Sequence, residues 1–439
     1  MTFTVKDVLR MEVAPALGCT EPGAVALGAA AAAALLDGDE IQSIEVWVDA
    51  NVYKNGIAVS IPGTDGLIGL DMSSALGATG GDPSLKLQVL EPVDAAAIAH
   101  SQALVAGGAV TVNLLPDQPG PYIRTILHGA AHTAETVVQG THDNIVSAAL
   151  DGTAVVDSSL LSVTAGGNGG HGLAELEDWL RDRSMDDLLA LLDQLDEDDL
   201  AFVEKGVQTN VTLAEYGLAH DCGMGVGRAL ERLARQGLIQ RDMILAARML
   251  TSAAADARMA GAKLPAMSSA GSGNHGLTAI LPIWAVKDFV DTDHTTVLKA
   301  IALSHIVTGF IKAYTGRLSA LCGCSVAAGA GATAGIAYLL GGDKHHISGA
   351  IANVMGDLAG VICDGAKAGC ALKLSTASGT AVQAALFALQ GVKINPTDGI
   401  VAGTAEQTMQ NVGTLSTEGM IATDRTILQI MLAKQLAET

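Results

Sequence analysis

Residues 16–36, ALGCTEPGAVALGAAAAAALL, join a turn-like segment to a long run of small apolar residues. The run from Ala24 to Leu36 carries no charge and predicts a buried helix, whose alanine and glycine side chains allow neighbouring helices to approach closely. Cys19 stands immediately before this helix, between a glycine and a threonine. Because a cysteine retained only for packing would more naturally lie within the apolar run, we expect Cys19 to have a chemical role.

The composition predicts a large apolar core and limits the classes of partner. The 439 residues are 49% hydrophobic and 16% charged, and only 3% are aromatic. This length suffices for more than one domain, with a core of small and aliphatic side chains. The net charge of −21 argues against nucleic acid and anionic membranes as partners, because these bind basic surfaces. We therefore expect a small-molecule substrate and, given a large helical core with few charges, a homodimer.

The N-terminal sequence and the longest apolar stretch both argue against an exported or membrane protein. The first residues, MTFTVKDVLRMEV, contain acids and lack the apolar region of a signal peptide, which predicts a cytoplasmic location. The longest uncharged stretch, residues 318–342, is long enough to span a bilayer. Its alanine, glycine, serine, threonine and cysteine content favours buried helices over a lipid-facing segment.

The pattern along the chain predicts an α+β fold. Residues 41–63 alternate apolar and polar side chains around KNG, which is typical of a hairpin. Further short strands are predicted at residues 86–92, 108–116, 121–129 and 134–142. Beyond about residue 206, helical periodicity predominates, with glycine-rich breaks. We predict an N-terminal mixed α/β domain over residues 1–170 and a larger, all-helical, alanine- and glycine-rich domain over residues 171–439.

Four of the six cysteines fall between residues 322 and 370. Disulfides are rare in the cytosol, so the remaining roles for these cysteines are inert packing, metal binding and redox chemistry. Cys322 and Cys324 form a C-x-C pair, and six residues separate Cys363 from Cys370, whereas zinc sites usually contain C-x2-C pairs. Several thiolates converging from glycine-rich loops are typical of an iron–sulfur cluster. Buried, inert cysteines are the alternative interpretation.

Five blocks of sequence resemble the L-cysteine desulfidase family and its relatives, the iron–sulfur L-serine dehydratases. They occur in order and extend over nearly the whole chain. The blocks are ALGCTEPGAVALGAA (16–30), VYKNGIAVSIPGT (52–64), DARMAGAKLPAMSSAGSGNHGLTAILP (256–282), RLSALCGC (317–324) and VICDGAKAGCALKLSTASG (361–379). The resemblance implies a [4Fe–4S] lyase that converts L-cysteine to pyruvate, ammonia and sulfide, or L-serine to pyruvate and ammonia.

The same resemblance implies which residues hold the cluster. In the dehydratase pattern, Cys322, Cys363 and Cys370 are the ligands and one iron stays open. The desulfidase pattern adds Cys19 as a ligand, whereas the dehydratase alignment places GCTEPG at a substrate loop. The two patterns exclude each other if one iron must stay open.

The position of Cys19 at a helix start predicts its reactivity. The positive end of a helix dipole lowers the pKa of a thiol, so we expect a Cys19 thiolate that faces the other ligands across the domain boundary. Glu21 is a candidate general base, or a carboxylate that only stabilises the helix start. Thr20, in the same loop, is a candidate substrate contact. We interpret Cys222 and Cys324 as structural.

The segment 268–276, SSAGSGNHG, is the candidate site for the substrate carboxylate. Hydroxyls and backbone N–H groups ahead of a helix are suited to binding an anion. Ser272, Gly273 and Asn274 are the candidate contacts, and His275 is another candidate general base. An ordinary glycine-rich helix start is the alternative interpretation.

Two further pairs of residues are candidates for the site. Lys373 and Ser375 closely follow the last cluster cysteine, which favours a catalytic role for Lys373 and a substrate contact for Ser375. A lysine that extends from a helix end explains Lys373 equally well. Lys54 and Asn55, in the KNG segment, are candidate substrate contacts or simple turn residues.

Two other functions compete with a cluster-dependent lyase. SAGSGNHG also resembles the phosphate-binding segment of pyridoxal-phosphate serine/threonine dehydratases, but those enzymes carry a Schiff-base lysine well upstream, and the nearest lysine here is Lys263. A cluster-based sensor or binding protein is the non-catalytic alternative and would form no pyruvate. The sequence does not distinguish L-cysteine from L-serine as substrate, since the two differ by one atom at Cβ.

Overall fold

The structure is a computed structural model that describes residues 2–156, 160–161, 172–316 and 319–438. Its helices are α1 Val5–Glu12, α2 Thr20–Leu35, α3 Ala50–Gly56, α4 Leu70–Gly80, α5 Ala95–Ala106, α6 Leu173–Arg181, α7 Met185–Ala190, α8 Glu197–Ala219, α9 Val226–Arg235, α10 Met243–Met259, α11 Gly273–Val286, α12 His294–Thr315, α13 Ala327–Leu339, α14 Lys344–Leu358, α15 Cys370–Leu389, α16 Ala405–Thr414 and α17 Ile421–Glu438. The strands are β1 Pro15–Leu17, β2 Ile41–Asp49, β3 Val110–Leu115, β4 Tyr122–Gly129, β5 Thr133–Gln139, β6 Ile145–Leu150, β7 Thr153–Ala154 and β8 Pro265–Met267. The predicted α+β class is confirmed.

The N-terminal part is built on one sheet with the strand order β3-β2-β4-β5-β6-β7. Strands β2 and β3 run parallel, and the other neighbours run antiparallel. Ile44, Val46 and Val48 of β2 are fully buried because alternate side chains of a strand point to one face. Helix α2 packs on β4 and β5, and its residues from Thr20 to Ala32 are all buried, as the uncharged run predicts.

The larger core is formed by helices α8 and α10–α15. Helices α12 and α13 pack so closely that a Cβ on Gly331 would lie 2.3 Å from Thr308 Oγ1 and 2.4 Å from the Ser304 carbonyl. Helix α12 is long and apolar enough to cross a membrane by length and composition, but 89% of its most apolar window is buried inside the protein. Much of the uncharged stretch at residues 319–342 is α13, which is buried among the same helices.

Helix α1 and strand β1 pack with the larger helical core, although the chain continues from them into the N-terminal sheet. Residues of α1 lie in the helical core, and β1 pairs with β8 in antiparallel register. The Ala270 N–H also donates to the Glu12 carbonyl, at 2.8 Å. This pairing brings the loop before α2 beside the loop before α11. The predicted division at residues 170 and 171 lies outside the described residues.

Two local predictions are wrong. The segment around KNG is helix α3, because the buried Asp49 carboxylate accepts hydrogen bonds from the N–H groups of Asn51 and Val52 and begins a helix after β2. Of the residues predicted as a strand at 86–92, the first three end a short 3₁₀ helix, Pro83–Gln88, which Asp82 caps, and the others form turns. In both places a capping carboxylate outweighs the alternation of apolar residues.

Candidate active site

One cavity lies where the loop before α2, the loop before α11 and the two cysteine-containing loops meet. Five of the six cysteines line it, and Cys222 is the one that does not. The predicted site residues that line it are Cys19, Thr20, Glu21, Asn55, Ser272, Asn274, His275, Cys322, Cys363, Cys370 and Lys373. Segments far apart in sequence therefore contribute to one site.

Backbone pairing places Cys322 beside Cys363. The Cys322 N–H donates to the Val361 carbonyl at 2.8 Å, and the Cys363 N–H donates to the Ala320 carbonyl at 2.6 Å. Cys370 begins α15, after the glycine-rich turn that carries Gly365. The loops thus present three thiols to the same cavity.

The three thiols have different acidities. Hydrogen bonds from the Cys324 thiol and from Ser325 outweigh burial and lower the pKa of Cys322 to about 6, with a contribution from the Lys373 charge. Burial raises the pKa of Cys370 to about 11, and burial together with the neighbouring Cys322 raises the pKa of Cys363. Because the thiolate is the metal ligand, metal binding here would release protons.

The donor set fits an iron–sulfur cluster better than a single ion. In the part of the chain that the structure describes, no three His, Cys, Asp or Glu side chains are grouped to hold one metal ion. Cysteine thiolates around a cavity are the usual ligands of a [4Fe–4S] cluster, in which each thiolate binds a different iron. Cys322, Cys363 and Cys370 offer that chemistry.

Cys19 occupies the N-cap position of α2 without a side-chain capping hydrogen bond and is buried, with 4% of its surface exposed. Its Sγ donates to Glu21 Oε2 at 3.0 Å, and Thr20 Oγ1 donates to the same oxygen at 3.0 Å. Burial, and then the Glu21 carboxylate, raise the pKa of Cys19 well above its usual value. The prediction of a lowered pKa is therefore wrong, because these two effects outweigh the helix dipole and the nearby Arg258 charge.

His275 lies in the first turn of α11 and is held through its ring. Nδ1 hydrogen-bonds to the Ser269 carbonyl at 3.2 Å. Since a carbonyl only accepts, Nδ1 carries the proton and the lone pair of the neutral ring is on Nε2. Gly323 lies between Cys322 and Cys324, and a Cβ built on it would lie 2.3 Å from His275 Nε2. His275 therefore presents Nε2 toward the cysteine loop.

A second histidine, His305, lies in the core and contacts Ser269, whose carbonyl binds His275. His305 of α12 is 2% exposed, and its Nδ1 lies 2.9 Å from Ser269 Oγ. Desolvation lowers the pKa of His305 from 6.5 to about 4. The buried ring is thus neutral at neutral pH.

The low pKa of His305 predicts an acid-dependent loss of stability. As the pH falls from about 6.5 to about 4, the unfolded chain binds a proton before the folded chain does, so about 2 kcal/mol of the free energy of unfolding is lost by about pH 5. Urea unfolding at about pH 7.5 and about pH 5 measures this loss. We expect His305→Gln to reduce the pH dependence, whereas His345→Gln, at an exposed position, leaves it unchanged. Equal pH dependence in the wild type and His305→Gln would contradict this.

Some predicted residues lie elsewhere. Lys54 is buried outside the cavity and pairs with Asp424 of α17, and Ser375 is on α15 away from the cavity lining. Gly273 does not line the cavity and packs against Arg258.

Lys373 lines the cavity, but its Nζ donates to the Ile362 carbonyl at 2.8 Å and to Asp364.

These contacts give Lys373 a structural task. Although burial opposes it, the hydrogen bond to Asp364 raises the pKa of Lys373. Burial raises the pKa of Asp364, but the hydrogen bonds from Lys367 and Lys373 outweigh burial and lower this pKa to about 2. The ion pair therefore ties α15 to the loop that carries Cys363.

Some lining residues are not among the predicted site residues, chiefly Arg258, which is 2% exposed on α10. An arginine in the small-residue stretch 252–262, where Asp256 is the one other charged residue, is the signal that could have identified it. His142, which lies 3.9 Å from Glu21 Oε1, also lines the cavity. Lys263 does not line it and donates to the Val93 carbonyl, so it is poorly placed as the Schiff-base lysine of a pyridoxal-phosphate enzyme.

Comparison with known proteins covers most of the chain. Residues 86–429 match the model of a family described as serine dehydratase alpha chain. A UPF0597 protein of Desulfatibacillum aliphaticivorans is 61% identical over 438 residues, which is 100% of both chains. A UPF0597 protein of Desulfotalea psychrophila is 59% identical over 99% of both chains, and one of Clostridioides difficile is 44% identical over 97% of this chain and 98% of its own.

Proposed function

The chain belongs to the serine dehydratase alpha chain family, and from that premise we propose that it is a [4Fe–4S]-dependent lyase that converts L-cysteine to pyruvate, ammonia and sulfide. The observation that supports this most directly is the single cavity shared by Cys322, Cys363, Cys370 and His275. The family is one of iron–sulfur serine dehydratase-like lyases, in agreement with the resemblance noted in the sequence.

Cys322, Cys363 and Cys370 are the residues that would hold the cluster, with Cys19 as a further thiol in the same cavity. When bound, a [4Fe–4S] cluster with an open iron supplies a Lewis acid for the β-thiol or β-hydroxyl, which is otherwise a poor leaving group. The ion pair of Lys373 with Asp364 keeps the loop of Cys363 in place. The chain's own residues perform the remaining steps.

His275 Nε2 accepts the α-proton of the substrate, while the hydrogen bond from Nδ1 to the Ser269 carbonyl fixes the ring. The electrons of the Cα–H bond form the Cα=Cβ double bond, and the β-substituent leaves with the electrons of its own bond. Ser272 and Asn274, at the start of α11, bind the substrate where negative charge develops on its carboxylate. The aminoacrylate product tautomerises, and water hydrolyses the imine to pyruvate and ammonia.

L-Serine is the second candidate substrate, because the matched family is described as serine dehydratase. The same residues would act, and hydroxide would leave in place of hydrosulfide. A small amino acid also agrees with the net charge of −21, which disfavours nucleic acid.

Anaerobic reconstitution with iron and sulfide, followed by parallel pyruvate assays with L-cysteine and L-serine, tests the proposal. We expect pyruvate from both and sulfide from L-cysteine, with the higher kcat/KM for L-cysteine. Faster turnover of L-serine would identify the protein as a serine dehydratase. A protein that binds the cluster and forms no pyruvate from either amino acid would be a sensor or binding protein, which would overturn the proposal.

A further inference from the structure

Arg258 is a buried cation without an anionic partner among the described residues. It stands in the last turn of α10, is 2% exposed and ranks among the largest fully buried side chains. Within the described part of the chain, it forms no ion pair with a carboxylate, and its Nε has no hydrogen-bond partner. A buried charge without a counter-charge is strongly unfavourable, so such a group indicates a missing anion.

The contacts that Arg258 does make hold it in the cavity wall. Nη1 donates to Asn274 Oδ1 at 2.9 Å, and Nη2 donates to the Gly18 carbonyl at 2.5 Å. Both acceptors are neutral: Asn274 is in the first turn of α11, and Gly18 is in the loop before α2. Of the five N–H donors of a guanidinium, these bonds use two, and the side chain itself lines the cavity.

The backbone of Gly273 fixes the position of the guanidinium. A Cβ on Gly273 would lie 2.5 Å from Arg258 Nε and 2.6 Å from Cζ. The arginine is therefore packed against the start of α11, next to Ser272 and Asn274. The charge of Lys373, in the same cavity, is already neutralised by Asp364.

We infer that Arg258 is the counter-charge for the α-carboxylate of the substrate, an assignment that rests on the proposed action on a small L-amino acid. A carboxylate in the cavity would accept charge-assisted hydrogen bonds from the guanidinium. Asn274, held by Arg258 Nη1, would then contact the same end of the substrate. The arginine also ties the loop of Cys19 to the start of α11, so filling the anion site would stabilise both segments.

Binding of L-alanine and L-alaninamide to the reconstituted protein, measured by calorimetry at about pH 7, tests this assignment. L-Alanine keeps the α-carboxylate but has no leaving group, and the amide lacks the charge. We expect the wild type to bind L-alanine at least about tenfold more tightly than L-alaninamide, and Arg258→Met to lose that preference. Arg258→Lys should retain part of it, because the charge remains while the planar fork is lost.

Gly273→Ala tests the same point without removing the arginine, in case Arg258→Met does not fold. Its new methyl group displaces the guanidinium, and we expect a reduced preference for L-alanine. Gly360→Ala is the matched control, because no atom lies within 4 Å of a Cβ built there. Wild-type protein without preference for the carboxylate, or folded Arg258→Met with unchanged preference, would overturn the assignment. L-Alanine binding requires no elimination. If the wild type prefers L-alanine to L-alaninamide through Arg258 but forms no pyruvate from L-cysteine or L-serine, only the proposed function is refuted.

Discussion

Cys363→Ala and Cys322→Ala are each expected to abolish the cluster and pyruvate formation together. Cys322 and Cys363 lie on paired backbone segments and line the same cavity as Cys370, so loss of either removes one of the three proposed ligands. Iron and sulfide content, visible absorbance and pyruvate assays after anaerobic reconstitution measure the two losses. We expect iron content near zero and turnover below detection.

Cys222→Ala is the matched control for both variants. Cys222 lies outside the cavity, in a loop held by the Asp256 carboxylate through the N–H groups of Met224 and Gly227. We expect its removal to leave the cluster and turnover largely unchanged. A full complement of cluster in Cys363→Ala would contradict the assigned ligands.

Cys19→Ser, made under the same conditions, separates the two ligand patterns. If Cys19 is a ligand, iron content falls with turnover; if it only contacts the substrate, turnover falls severely while the cluster stays. The buried hydrogen bond from Cys19 to Glu21 favours the second result, since metal binding would first require that thiol to lose its proton beside a carboxylate. Near-normal turnover in this variant would show that Cys19 is structural.

His275→Gln is expected to lower kcat by about 10²–10⁴ while the cluster remains bound. The variant removes the group that accepts the α-proton, but a glutamine side chain can still donate a hydrogen bond to the Ser269 carbonyl. Steady-state kinetics with L-cysteine and L-serine, together with iron content, measure the effect. Loss of deuterium from α-deuterated substrate should slow in parallel.

Gly323→Ala provides a second test of the same group, since its new Cβ would meet the imidazole at Nε2. We expect it to lower kcat as well, whereas Gly360→Ala, at an open position, does not. Unchanged kcat in His275→Gln would exclude His275 as the base. Glu21, which lines the same cavity, would then become the leading candidate.

Much of the secondary structure was predictable because it depends on neighbouring residues. The apolar run predicted as a helix is α2 Thr20–Leu35, and the strands predicted at 108–116 and 121–129 are β3 Val110–Leu115 and β4 Tyr122–Gly129. Small residues in α13 also indicated close packing, which Gly331 confirms. The prediction around KNG failed because apolar alternation does not reveal that Asp49 caps a helix there.

The sequence by itself determined the elements of this protein and the kinds of chemical group available to it: apolar runs form helices, and glycine-rich segments between or at the start of helices carry the cavity cysteines and His275. Which groups meet was decided by the tertiary structure. The pairing of β1 with β8 brings the loop of Cys19 to the start of α11, where His275 lies, and Arg258 bridges the two from the core. The acidity of Cys19 followed burial and Glu21 rather than its place at a helix start. The physical reason is that desolvation and charge depend on neighbours in space, which local sequence does not specify.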